Sequence, residues 1–422
     1  MLEKPDLFAS RREFVIVMGV LALIVLLRLG WEYRSYRQFA SQPFVYTHAV
    51  ILNLYPKERN GKHYTILKLR TDTGRTLYTT AWRNDLARGD RLYLQLIPGE
   101  RVGFWDLLKG TYLKSRIKRV EHPPPTVRNR LEAWVAHQHE DAKIASLYNA
   151  LFWATPIDRS LREPIAALGV SHLVALSGFH LGILWGVLYG VLAWLYRPWQ
   201  ARRFPYRYLL RDVGAVTMVL LAGYVVFVGA PPSLVRSYAM LLAGWLLVLA
   251  GLAVVRFSFL AVVVLGLLAL FPSLLLSLGF WLSVAGVFYI FLLLHYCQDR
   301  NKWLVGLVCV PVGIFVLMQP LVHGLFGMTS YWQLLSPVLS LGFTLFYPLA
   351  LVLHLVGLGG ALDGMLNALL DAPHHTWELL LPLWAVGGYV ALSLAAIRWR
   401  WAFYLLLAVA AGYVGWGMLG DG

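Results

Sequence analysis

Charge is scarce in this chain. Of its 422 residues only 14% are Asp, Glu, Lys or Arg, where a soluble globular protein carries roughly a quarter. Acid is the scarcer sign, with 22 acidic against 37 basic residues and a formal net charge of +15. That balance excludes a cation-seeking acidic surface and points to anionic partners, lipid or nucleic acid. Cysteine is nearly absent. Cys297 and Cys309 can form neither a disulfide framework nor a cysteine-only metal site, and they read as two packing residues near one loop. No Gly-x-x-x-x-Gly-Lys-Ser/Thr string occurs, so an ATP motor of the P-loop kind would have to be a separate protein. Metal chemistry has one superficial candidate, His137-Gln138-His139-Glu140-Asp141. One helical turn cannot aim four side chains at one ion, so this run is expected to be a solvated face, and neither a metal nor another cofactor is expected.

Apolar sequence is abundant, with 59% hydrophobic residues and a mean hydropathy of +0.61. Uncharged stretches at 213–235, 237–255, 257–294, 303–322 and 379–397 are each long enough for a hydrocarbon core of ~30 Å, and 257–294 is long enough to cross twice. Near the N-terminus an apolar run at 14–27 is flanked by Arg11, Arg12 and Arg28. It is short for a span, but arginines snorkel. No small-residue cleavage site follows Leu27, so an uncleaved anchor with its linker is expected over 1–42. The chain reads as a polytopic α-helical membrane protein.

From 43 to 122 the composition changes. Strand-like segments at 45–55, 63–70, 75–82, 90–98 and 111–120 are separated by turn signals at Asn60-Gly61, Thr73-Gly74, Arg88-Gly89-Asp90 and Pro98-Gly99. Five short strands in so few residues suit a small antiparallel β-barrel of the OB-fold kind. This stretch holds 15 Lys/Arg and 7 Asp/Glu, with Tyr55, Tyr64, Tyr78, Trp82 and Tyr93 interleaved. Cations for phosphates and rings for bases are what a single-strand binder needs. Tyr64, Lys68, Arg70, Tyr78 and Trp82 are the candidate DNA contacts. The alternative is a basic, solvated barrel whose rings are core.

After Pro123-Pro124-Pro125, residues 123–168 read as amphipathic helices lying on the membrane surface, with Leu131, Trp134, Ile144, Leu147, Leu151 and Phe152 among charges. The loop 197–211 carries Arg197, Arg202, Arg203, Arg207 and Arg211 and no acid, which the positive-inside rule assigns to the cytoplasm. Counting back puts the barrel outside and the N-terminus inside. Counting forward puts Pro231-Pro232 and Pro272 outside and Arg256, Arg300 and Lys302 inside. Arg398 and Arg400 fall inside only if 332–358 is re-entrant or crosses twice.

Residues 169–190 open an apolar span with two histidines and a serine. At about 100° per residue, His172, Ser177 and His180 share a ~140° arc of a continuous helix. Their roles stay open between helix-to-helix hydrogen bonding, pore lining, and metal or Ser/His chemistry, though no carboxylate lies in 169–196 to orient a base. Gly178, Gly182, Gly186 and Gly190 recur every four residues as a seam for close helix packing. Gly169, His172, Leu173, Ala175, Ser177, Gly178, His180 and Gly182 match Gly-x-x-His-Leu-x-Ala-x-Ser-Gly-x-His-x-Gly. The chain thereby resembles the competence family of DNA-uptake channel proteins (ComEC/Rec2), over about 43–345.

Two further strings carry that resemblance. Gly229 to Met240 resembles Gly-x-x-Pro-Ser-x-x-Arg-x-x-x-Met, with Pro232 at a helix start, Ser233 beside the open backbone donors, and Arg236 free either to snorkel or to bind phosphate. Pro272 and Gly279-Phe280-Trp281-Leu282-Ser283 are similar to the family's Pro-x(6)-Gly-Phe-x-Leu-Ser, with Trp281 where relatives often have Gln, and Ser340 stands where they tend to have Asn. Relatives often add a C-terminal metallo-β-lactamase-like domain, and its His-x-His-x-Asp-His motif is absent here. The resemblance implies that 169–422 is a channel domain in the bacterial inner membrane, with the barrel on its periplasmic side. It further implies that one strand of incoming DNA passes through during natural transformation. His172, Ser177, Gly178, His180, Arg236, Gly279 and Ser283 are the implied functional residues, with no catalytic residue. The implied partners are single-stranded DNA, membrane lipid, a DNA receptor outside and an ATP-driven helicase or translocase inside, with room for an oligomer. A membrane-embedded Ser/His hydrolase and a small-solute transporter are the alternatives.

Overall fold

The computed structural model describes residues 5–59, 62–83, 85–99, 102–252, 255–373 and 375–419. The Asn60-Gly61 turn lies outside them. The chain divides into two units, Ser10–Thr126 with Ala261–Phe280, and Val127–Leu260 and Trp281–Gly422 with Met1–Ala9. In the first unit, α1 (Arg11–Ala40) is long enough to cross a bilayer and runs well beyond the apolar stretch at 14–27. Its last turns join the sheet: Tyr36 Oη donates to the Val102 carbonyl (2.9 Å), and Arg75 pairs with Glu32 (3.0 Å).

Five strands follow: β1 (Val45–Arg59), β2 (Lys62–Thr71), β3 (Thr76–Ala81), β4 (Arg91–Ile97) and, after the short helix α2 (Phe104–Lys109), β5 (Lys114–Glu121). Alternation of apolar and polar residues sets their register, so Ile51, Leu67, Leu69, Leu92 and Leu94 point inward and are almost wholly buried. The order is β3-β2-β1-β4-β5, antiparallel throughout. β3 approaches β5 through a single bridge from Tyr78 to Tyr112 and a hydroxyl pair between Thr79 and Ser115 (2.7 Å). No ladder runs between them, so the expected barrel is an antiparallel sheet without full closure.

The rest of the chain is helical. Helices α3 (Val127–Ala136), α4 (Ala142–Trp153), α5 (Arg162–Ala167) and α6 (Ser171–Val174) lead into α7 (Gly178–Arg203), α8 (Leu209–Phe227) and α9 (Pro232–Leu249). The apolar stretch 257–294 divides at a 3₁₀ turn (Pro272–Leu276) into α10 (Phe257–Leu270) and α11 (Leu278–Tyr296), because proline has no N–H to continue a helix. A π-turn joins α12 (Lys302–Leu304) to α13 (Val310–His323), and α14 (Ser336–Leu355), α15 (Asp363–Leu370), α16 (Leu383–Ala395) and α17 (Arg400–Leu419) complete the chain. Among the described residues eight helices are long and apolar enough to cross a membrane. This is a multi-pass membrane protein.

The segment expected at the membrane surface is built into the protein. Ile144, Leu147, Leu151 and Phe152 of α4 are buried in one cluster with Tyr347 and Ala350 of α14 and Leu366 of α15, so protein takes much of that apolar face. Arg128 on α3 clamps two helix ends, its Nη1 donating to the Val228 carbonyl (2.9 Å) and its Nη2 to the Trp153 carbonyl. A cation is well placed at such C-termini, where carbonyls lack helical partners.

The His137–Asp141 run departs from expectation in part, since His137 and Glu140 are exposed as expected. His139 is no solvated residue: its side chain has no exposed surface, and its ring stacks on Tyr148 at 4.6 Å. Its Nδ1 meets the Asp363 carboxylate (2.9 Å) and its Nε2 meets His354 Nε2 (3.0 Å). Gln138 Oε1 beside it accepts from Gly359 N–H (2.9 Å). The partners lie more than two hundred residues away, so the local pattern could not show them.

These bonds hold the far end of α14 to the turn after α3. The near end is tied to the same segment, through Ser336 Oγ donating to the Gly169 carbonyl (3.0 Å) and Ser340 Oγ beside His172 Nε2 (3.3 Å). Helix α14 is a single helix, neither the re-entrant segment nor the double crossing that charge parity allowed. Asp363→Asn removes the carboxylate that accepts from a buried ring, a change worth roughly 1–3 kcal/mol. A lowered unfolding midpoint of the detergent-solubilised protein is expected, and an unchanged midpoint would show that the contact contributes nothing.

Candidate functional site

The 169–190 motif is not one continuous helix. After α6 the backbone extends through Ala175 and Leu176, and Ser177 (φ −134°, ψ −179°) caps α7 by accepting from Phe179 N–H (3.3 Å). Serine at such a position satisfies a backbone donor that the first helical turn leaves open. The shared arc of His172, Ser177 and His180 therefore does not exist, and the three residues diverge. His172 sits on α6 and is exposed at one edge. Enough protein surrounds its imidazole that desolvation pulls its pKa down, against a backbone hydrogen bond at Gly169 that raises it.

His180 is fully buried. The edges of Phe343 and Tyr347 flank its ring at 5.0 Å each. Its Nδ1 lies 3.4 Å from both the N–H and the hydroxyl of Ser177, long contacts that orient rather than bind tightly. Its Nε2 has no hydrogen-bond partner among the described residues. Among the described residues no third group meets Nε2 to orient the ring, as a nucleophilic mechanism would require.

Across from the cap lies α9. A Cβ on Gly178 would stand 3.0 Å from Ser237 Oγ and 3.3 Å from its Cβ, so glycine permits this close crossing. Ser237 Oγ donates to the Ser233 carbonyl (2.8 Å). No side chain caps α9, which corrects the reading of Ser233 as a cap. Arg236, one turn into α9, is 6% exposed, so its guanidinium is enclosed and does not snorkel to a surface. The other glycines form no seam: nothing lies within 4 Å of a Cβ at Gly182, Gly186 or Gly190. The reason is geometric, since a four-residue repeat turns about 40° per step round a helix of 3.6 residues per turn. Gly279 is equally open, and Ser283 is half-buried on α11.

Polar residues that the sequence reading passed over are paired with one another inside the helical unit. Buried Gln333 donates to the Met328 carbonyl (2.9 Å) and meets Gln319 (3.4 Å), while Thr329 and Tyr413 contact the two nitrogens of His323 (3.3 and 3.0 Å). Lone polar residues inside apolar runs were the available signal, because such groups need partners in a bilayer. In the sheet, the five candidate DNA contacts lie on β2, β3 and their margin. Lys68 pairs across from Tyr78 and Arg70 from Thr76, and the rings of Tyr64 and Trp82 meet at 5.6 Å.

The Gly178 crossing and the open Gly182 face differ in a way that can be measured. Gly178→Val should destabilise the solubilised protein by about 1–3 kcal/mol through overpacking, whereas Gly182→Leu should stay within about 0.5 kcal/mol. Equal losses in thermal unfolding would contradict this difference.

Comparison with known proteins adds one finding. No curated protein and no solved structure matches the chain. The family described as "Competence protein" matches residues 154–421. The match begins later than the expected 43 and runs on past 345 through the last helices, so the sheet lies outside it and α14 to α17 lie within. Broken α6–α7, the Gly178 crossing and buried Arg236 are all inside the matched region, and the chain belongs to the competence protein family, which associates it with DNA uptake.

Proposed function

We propose that this chain is an inner-membrane channel through which single-stranded DNA enters the cytoplasm during natural transformation. The observation that carries the reading is Arg236, a buried guanidinium one turn into α9, beside the tight crossing of Gly178 and Ser237 in a multi-pass competence-family protein. A planar guanidinium recognises phosphate by paired donors. A channel for a polyanion needs such a group away from bulk water, whereas a hydrolase needs a base held by a third residue. The five-stranded unit serves in this reading as an OB-like module on the periplasmic side that engages the strand. A receptor outside and a separate ATP-driven motor inside are the matching partners.

The orientation follows from charge and from α14. Residues 127–173 carry ten charged side chains along their length, which keeps that segment out of the hydrocarbon core. Both ends of α14 are bonded to it, through Gly169 and His172 at one end and His139 at the other. In the proposed orientation α14 lies along the outer side without crossing. Parity then closes: the arginines of 197–211, Arg256, Arg300, Arg398 and Arg400 all face the cytoplasm, as the positive-inside rule asks. Cysteines introduced as Leu334→Cys and Leu358→Cys, with Cys297 and Cys309 replaced by serine, should both react from outside with an impermeant maleimide. Reaction at opposite faces would restore α14 as a span.

For transport, Arg236→Ala and Arg236→Lys should each lower uptake of labelled DNA by at least about tenfold, the order of one lost charge-assisted hydrogen bond, with the protein still in the membrane. Wild-type uptake by the lysine variant would mean that a positive charge is enough and that paired phosphate recognition is wrong.

A further inference from the structure

The outward side of the sheet has a second region, on β1, β4 and β5, better equipped than the one first read from the sequence. On β1 and β4 the outward residues form a run of rings. Phe44 meets Tyr46 at 5.6 Å, Tyr46 stacks on Tyr93 at 5.6 Å with only 13° between planes, and His48 lies 4.8 Å from Tyr93. Phe44 and Tyr46 are 46% and 48% exposed, so these rings are no part of the core beneath. Directly across from β4 runs β5, with Arg116 opposite Gln95, Arg119 opposite Tyr93 and Lys114 opposite Ile97. These cations stand on the same outer face, one strand spacing of ~4.8 Å beyond the rings. Arg119 is held by Glu121 (3.3 Å), and His48 faces Asp72 (3.6 Å). Lys114 and Arg116 have exposed side chains that extend into solvent.

We infer that the β1–β4–β5 face is the single-strand binding surface of this protein, with bases stacking on Tyr46 and Tyr93 and the backbone running along Lys114 and Arg116. The inference rests on the reading of the chain as a DNA-uptake protein and adds the face on which the strand lies. Rings in register beside a rail of cations match the two halves of a nucleotide, an apolar plane and a phosphate. A duplex hides its base planes and offers such rings nothing, so the ligand is the unpaired strand. Among the described residues the ring pair by β2–β3 is Tyr64–Trp82, tilted by 41°.

The test uses the full chain in lipid nanodiscs and a thymidine oligonucleotide carrying one 2-aminopurine. Tyr46→Ala and Tyr93→Ala should each weaken binding about fivefold or more and restore the quenched fluorescence of the probe. Tyr46→Phe and Tyr93→Phe keep the plane and should bind like the parent. Lys114→Ala and Arg116→Ala lie at the surface, where folding is not at stake, and should each reduce the salt dependence by about one unit of log–log slope. If Tyr64→Ala and Trp82→Ala weaken binding while Tyr46→Ala, Tyr93→Ala and Arg116→Ala do not, the face is wrong and DNA binding stands. If the unaltered chain binds no oligonucleotide at low salt, the DNA-binding reading of this unit falls, and the assignment of the face falls with it.

Discussion

A polar atom turned toward hydrocarbon has no water to bond, so each one inside a membrane bundle must be met by protein. The same holds for any buried polar group, and helix α14 is where the helical unit pairs several of them. Along twenty residues it offers Ser336 to Gly169, Ser340 to His172, the rings of Phe343 and Tyr347 to His180, and His354 to His139. Every contact is made to the segment that precedes the α7 cap or to the cap itself. The position of the motif histidines is thus set less by their own helix than by α14 alongside them. Removing the Ser336 or the His354 tie leaves a buried donor or acceptor unpaired, which costs more than the bond itself contributes.

Local signals made much of this architecture legible. Spans followed from apolar runs, their breaks from Pro231-Pro232 and Pro272, and the strands from alternation bounded by Gly74 and Gly89, whose φ of 78° and 95° L side chains rarely adopt. What was not legible depended on distance along the chain. His139 bonds a ring 215 positions away, and nothing in five consecutive polar residues indicates that one is enclosed. The α6–α7 break was hidden for another reason. Ser177 caps a helix only because the chain extends just before it, and a serine in an apolar run reads equally well as one more helical position.

The glycine stripe shows how a pattern can be right in composition and wrong in geometry. A four-residue repeat shares a helix face only over a short stretch, so Gly178 meets α9 while Gly182, Gly186 and Gly190 turn away from it. Ser340 shows the reverse. It replaces the residue relatives tend to have, yet its hydroxyl stands 3.3 Å from His172, because a small side chain with a lone pair suffices where two helices already lie close.

Arginine takes three physical roles here, and depth separates them. Over 197–211 the arginines are exposed, and Arg207 and Arg211 make short contacts with Asp212 (3.6 and 3.3 Å). Arg128, at the edge of the bundle, directs its two Nη groups to the terminal carbonyls of α4 and α8. Its planar fork reaches both helix ends at once, which a single ammonium group could not do with the same rigidity. Arg236 lies deeper, beside the narrow crossing that Gly178 permits. A cation enclosed there is taken out of water at a high solvation cost, so its surroundings must supply compensating contacts.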